Sequence, residues 1–216
     1  MLTMLEEVVL LAVDEKTGRV QTSQAYGTGY ALAGAVFFDL ALAKKIDTDT
    51  EGVVVLDKSP TGIAIMDKAM ETMAKVPEKK TVRSWIEELK ALDLEFEDAA
   101  LQGLVEQGIL KHEHSKRLWV IDVERFPVVD NEPVRHVKLR LAQAILGDAI
   151  PPTRDIMLVS IAEACGLLSL VLQPHELELR RERIEVLCGL ETISRIVKTA
   201  IDDLYQHIRS ASIQPM

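Results

Sequence analysis

His112 and His114 are the residues of this 216-residue chain whose type and spacing come nearest to metal chemistry. Two apart in a predicted strand, with Glu113 on the opposite side, their imidazoles could share a cation. No third ligand stands within sequence reach, so they read as solvated polar residues, and neither a metal nor a cofactor is expected. Glu87-Glu88 and Asp202-Asp203 are adjacent carboxylates. Neighbours on a helix diverge by about 100°, so neither pair presents two carboxylates to one substrate. Gly27-Thr28-Gly29 is too short for a dinucleotide loop, and no phosphate-cradling loop, nucleophile elbow or paired-ligand metal motif occurs. The chain is therefore expected not to be an enzyme.

Two basic clusters could hold phosphate by charge-assisted hydrogen bonds. One is Lys75, Lys79, Lys80 and Arg83 around a loop; the other, Arg180, Arg181 and Arg183, is diluted by Glu178, Glu182 and Glu185. The formal charge of −9 would repel nucleic acid and anionic lipid at long range. Any such binding needs a local basic patch. Cys165 and Cys188 sit among apolar residues and read as buried, reduced thiols of a cytosolic protein. Glu6 and Glu7 stand where a signal peptide would be apolar. The longest uncharged apolar run, Ala164 to Gln173, is about half of a membrane span, so the chain is expected in the cytoplasm, free or peripheral at a membrane.

The elements that would position these residues are mostly helical. Thr3 and Glu6 have capping-box spacing ahead of an apolar segment, and Tyr30 to Leu42 is apolar on nearly every side. Ile63 to Lys75 puts Ile63, Met66, Ala69, Met70 and Met73 on one face. Thr81 to Leu92 begins at an N-cap and buries Trp85, Ile86 and Leu89; Phe96 to Gln107 ends at Gly108. Alternation from Ile109 to Val123 predicts a hairpin with Ser115-Lys116-Arg117 at its tip, and Ile46 to Asp57 predicts a second. Val134, Val137, Leu141, Ala144 and Ile145 form a stripe after Pro133. Thr153 is expected to cap a central, all-apolar helix running to Leu172. Leu190, Ile193, Val197, Ala200, Leu204 and Ile208 form a stripe on the last helix. The fold class is mainly α: one domain over residues 1–216 around a central apolar helix, with one or two short β-hairpins. It contains a helix–helix–hairpin unit at 81–123 and a C-terminal helical bundle at 132–210.

A helix–helix–hairpin order is also that of a winged-helix DNA-binding module. Residues 94–108 would be its recognition helix, and they carry Glu95, Glu97, Asp98 and Glu106 with no Lys or Arg. Such a helix is repelled from a DNA groove, so no nucleic-acid partner is expected.

Leu2-Thr3 with Glu6-Glu7 and Leu10-Leu11, then the Ala/Gly-rich segment ending Asp39-Leu40-Ala41-Leu42, open an ordered series. It continues through Lys58-Ser59-Pro60-Thr61-Gly62, Thr81-Val82-Arg83-Ser84-Trp85-Ile86, Leu104-Val105-Glu106-Gln107-Gly108 and Arg154-Asp155-Ile156-Met157-Leu158. In this order the chain resembles the Golgi phosphoprotein 3 family over nearly its whole length. The resemblance implies a non-catalytic peripheral membrane adaptor that recognises phosphatidylinositol 4-phosphate, its partners an anionic phospholipid head group or a membrane-protein tail. It leaves a homo-oligomer open.

The family's head-group positions fall near Gln24, Ala33, Leu94 and Glu97. None supplies the aromatic ring or guanidinium that a phosphate needs. The resemblance is thus closest to bacterial-type members with a degenerate lipid site, and any lipid contact is expected at Lys75, Lys79, Lys80 and Arg83. The alternative is a soluble helical scaffold or winged-helix-like regulator without a lipid ligand.

Overall fold

The computed structural model describes residues 1–20, 28–48, 51–76, 78–117, 121–190, 195, 196 and 199. Among them the helices are α1 (Met4–Ala12), α2 (Thr28–Leu42), α3 (Ala64–Ala74), α4 (Val82–Leu89), α5 (Asp93–Glu106), α6 (Asn131–Leu146), α7 (Thr153–Ala164), α8 (Pro174–Leu179) and α9 (Arg181–Leu190). Two antiparallel hairpins join them: β1 (Ile46–Thr48) with β2 (Val53–Val55), and β3 (Glu113–Arg117) with β4 (Ile121–Arg125). The protein is mainly α. No described helix is long and apolar enough to cross a membrane.

The capping box at the start of α1 forms as its spacing predicts. Glu6 N–H donates to Thr3 Oγ1 at 3.1 Å and Thr3 N–H to Glu6 Oε2 at 2.7 Å. Met4 and Leu5 N–H donate instead to the carboxylate of Asp39 on α2, at 2.9 and 3.2 Å. The first turn's free donors are met partly by a neighbouring helix, which ties α1 to α2.

α1 packs on α2, α5, α6 and α7, while α2 touches α1, α3, α4, α5 and α7. The centre is therefore shared by α1, α2 and α7, each buried on nearly all sides along its apolar run. The buried apolar side chains form one continuous cluster from Met4 to Cys188. The stripes expected on α4 and α6 face it, as do Met66, Ala69, Met70 and Met73 of α3, whereas Ile63 sits exposed at the N-cap ahead of that helix.

Several expectations need correction. α7 stops at Ala164 rather than Leu172, because Gly166 turns the chain left-handed at φ 70° and a 3-10 turn follows at Leu167–Leu170. An apolar run with no charges gives no periodicity by which to see that break. Thr153 is the first helical residue of α7; Pro152 occupies the cap, and no side chain closes it.

Ser115, Lys116 and Arg117 lie within β3, paired with Val123, Asp122 and Ile121. The strand starts later than the alternation implies, because Leu110 first bridges Val128 after the left-handed Gly108. Leu190 ends α9 exposed; the other stripe positions expected on a last helix, and the Asp202-Asp203 pair, lie outside the described residues. Cys165 and Cys188 form no disulfide; Cys188 is buried and Cys165 only partly so, with its thiol pushed up to about 12 by desolvation.

Candidate functional site

Of the predicted basic patch, Lys79 lines a concavity of about 410 Å³ between β2, the end of α3 and the start of α4, which Lys58, Glu78, Val55, Val76 and Trp85 also line. Thr81 caps α4 by accepting from Ser84 N–H at 3.2 Å, and this seats Trp85 in the wall. Gly52 brings the first hairpin against the same edge: Val53 N–H donates to Lys80 O at 2.9 Å. A Cβ on Gly52, at φ 149°, would come within 2.5 Å of that oxygen.

The four expected cations differ in their surroundings. Lys79 pairs with Glu51 at 3.0 Å, and Lys80 pairs with Glu88 while lying 4.9 Å over the Trp85 ring. Arg83 pairs with Glu87 one turn on at 3.1 Å. Lys75 is exposed at the C-cap of α3, where a positive charge suits the helix dipole. The second basic cluster has a structural task. Arg183 donates to Ala144 O at 2.9 and 3.0 Å and to Ala149 O at 2.5 Å, and Arg180 donates to Leu146 O at 2.6 Å. These guanidiniums close the carboxyl end of α6.

A second concavity, of about 620 Å³, lies between the chain start, α6 and α7, with Leu2, Pro133, Val137 and Pro152 on its apolar side. Charges form its floor. Arg140 donates to Glu7 Oε1 at 2.6 Å and, through Nε, to Asp155 Oδ1 at 2.9 Å. Arg154 donates to Leu2 O at 2.7 Å and lies 3.3 Å from Glu7 Oε2 and 3.9 Å from Asp39. Glu7 is nearly inaccessible, and its Oε2 has no hydrogen-bond partner. Burial raises the Asp39 carboxyl to about 6, against the backbone donors of Met4 and Leu5 that favour its ionised form.

This network was missed in the sequence. A signal existed: Asp39 inside an all-apolar helix, and Glu7 on a helix buried on nearly all sides, are charges that must find partners. Arg154 and Asp155 stand in the resemblance's last motif, but nothing in the sequence points to Arg140.

Lys58-Ser59-Pro60-Thr61-Gly62 also has a structural use. Lys45 Nζ donates to Asp57 at 2.6 Å and to Ser59 O and Oγ at 2.8 and 2.7 Å. Asp57 is held far below the usual carboxylate range, chiefly by that Lys45 hydrogen bond and by Ser59. Thr61 donates through N and Oγ1 to Asp67, each at 2.6 Å, which fixes the entry to α3.

The profile of the family described as Golgi phosphoprotein 3 (GPP34) matches residues 4–204. The chain belongs to this family. No curated protein matches it significantly. Among the family's head-group positions, Ala33 is fully buried within α2, Leu94 is 75% exposed, and Glu97 is half-buried with an acidic side chain. Gln24 lies outside the described residues. Among the described residues of this Golgi phosphoprotein 3 chain, Lys90 is a basic group beside the start of α2; it donates to Tyr30 Oη at 2.8 Å and lies 4.3 Å over its ring. His112 and His114 stand together at the base of the β3–β4 hairpin, their ring centroids 4.1 Å apart.

Proposed function

We propose that this Golgi phosphoprotein 3 chain acts without catalysis as a cytoplasmic adaptor at a membrane surface. It meets anionic lipid through the concavity beside Trp85 rather than through the family's head-group positions. The observation that carries this reading is the convergence of Lys58 and Lys79 on a hollow that Val55, Val76 and Trp85 line together with a single carboxylate, Glu78; Lys80 lies over the Trp85 ring beside it. Exposed ion pairs such as those with Glu51 and Glu87 contribute only about 0–1 kcal/mol each. A phosphate carrying more charge can displace them and take charge-assisted hydrogen bonds.

Catalysis is not supported by the α1–α6–α7 hollow. Arg140 and Arg154 are engaged with Glu7, Asp155 and the Leu2 carbonyl, and Asp39, whose pKa is raised, caps a helix instead of lining the hollow. Its apolar side suits the tail of a membrane protein.

Flotation with neutral, phosphatidylserine-containing and phosphatidylinositol 4-phosphate-containing vesicles, at low and moderate salt, tests the reading. Recovery should rise with either anionic lipid and fall as salt screens the contact. Equal recovery on neutral and anionic vesicles would overturn it and favour a soluble scaffold.

A further inference from the structure

The sequence offers two imidazoles without a third donor, and folding brings one. Glu124 on β4 is directly opposite His114 in the register, and His112 lies two residues before His114. The pleat therefore places all three on one face. His112 Nε2 and His114 Nδ1 each lie 3.8 Å from the same oxygen, Glu124 Oε1. The three donor atoms lie within 4.8 Å of one another.

The base of the hairpin is anchored. Phe126 stacks on His112 with centroids 4.7 Å apart and planes inclined by 7°. Phe126 N–H donates to Gly18 O at 2.6 Å, and Lys111 N–H to Pro127 O at 3.0 Å. Gly18 allows that approach, since a Cβ there would come within 2.7 Å of Pro127 N and its φ is 64°. The donors are carried on backbone already held against the rest of the fold, which lowers the ordering cost of binding.

We propose that His112, His114 and Glu124 bind one divalent transition-metal cation of the zinc type, with water completing the coordination. Two imidazole nitrogens and one carboxylate oxygen on one face form a donor set that can share a single divalent cation. Imidazole and carboxylate together favour Zn²⁺ or Ni²⁺ over Mg²⁺ or Ca²⁺. Tetrahedral ligands at zinc stand about 3.3 Å apart, so the donors must close by about half an ångström to one and a half ångströms. The bound cation cross-links β3 to β4 at their base.

Metal-free protein titrated with ZnCl₂ in a calorimeter should bind one equivalent saturably, with a dissociation constant below about 100 μM. MgCl₂ should give no comparable binding. His114→Ala and Glu124→Gln should each weaken zinc binding at least about ten-fold, and the His112→Ala/His114→Ala pair should abolish it. His136→Ala/His175→Ala should bind as the unchanged protein does. Circular dichroism checks each fold, and Glu124→Gln, nearly isosteric, keeps the test valid if the double variant unfolds. No saturable zinc binding with a dissociation constant below about 100 μM, or undiminished affinity in the folded variants, would overturn the assignment.

Discussion

The ion network beneath α1 and the ion pairs around α4 use the same residue types to different ends. Under α1, Glu7, Asp39, Arg140, Arg154 and Asp155 bridge several helices and are largely withdrawn from water. Around α4, Lys79, Lys80 and Arg83 each meet a carboxylate while both partners stay accessible. Burial decides the difference. A withdrawn charge is costly to leave alone and so fixes how helices meet, whereas an accessible one can exchange its partner for a ligand.

The largest effect should come from breaking the buried set. Arg140→Ala removes the guanidinium that Asp155 and Glu7 Oε1 share, leaving Glu7 only Arg154 at 3.3 Å, and should cost about 3–5 kcal/mol in denaturant unfolding. A loss below about 1 kcal/mol would place Arg140 with the exposed pairs. Gly52→Ala tests the accessible region through its backbone, combining positive φ with a contact on Lys80 O. It should cost about 1–3 kcal/mol, more than removing any one charge there.

Asp39 sharpens the comparison through pH. Its folded pKa of about 6 lies above the ordinary 3.8, so between these values the folded state holds more protons than the unfolded state. Stability from this group therefore rises as pH falls from about 6 to 4 and is lost as pH climbs back through 6. Relative to Asp39→Asn, the unchanged protein should gain on the order of 2 kcal/mol across that window, read by urea unfolding at each pH. A constant difference between the two would contradict the assignment. The smallest effect belongs to Arg83→Ala, which should change stability by less than about 0.5 kcal/mol.

The helices were legible where polar residues interrupt apolar ones at regular spacing. Thr3 with Glu6, Thr81, and the α6 stripe from Val134 to Ile145 each announce a start or a buried face. Legibility failed where that contrast is missing. Gly166 ends α7 inside an uncharged run, and Leu110 enters its bridge before strand β3 begins.

The sites were less legible because their partners come from distant segments. Arg140 reaches Glu7 across 133 positions, and Glu124 meets His114 only through a register that the sequence leaves shifted. The basic patch was visible as composition. Its hollow, built from Val55, Val76 and Trp85, required three elements to meet.

Charge reversal at the concavity tests most directly that accessible cations, not the family's head-group positions, meet the membrane. Lys79→Glu/Lys80→Glu should lose most of its flotation with anionic vesicles while keeping its fold. Lys16→Glu/Lys68→Glu, which changes the net charge equally at two exposed lysines elsewhere, should keep most of it. Equal losses in the two variants, or unchanged flotation in the first, would contradict the account.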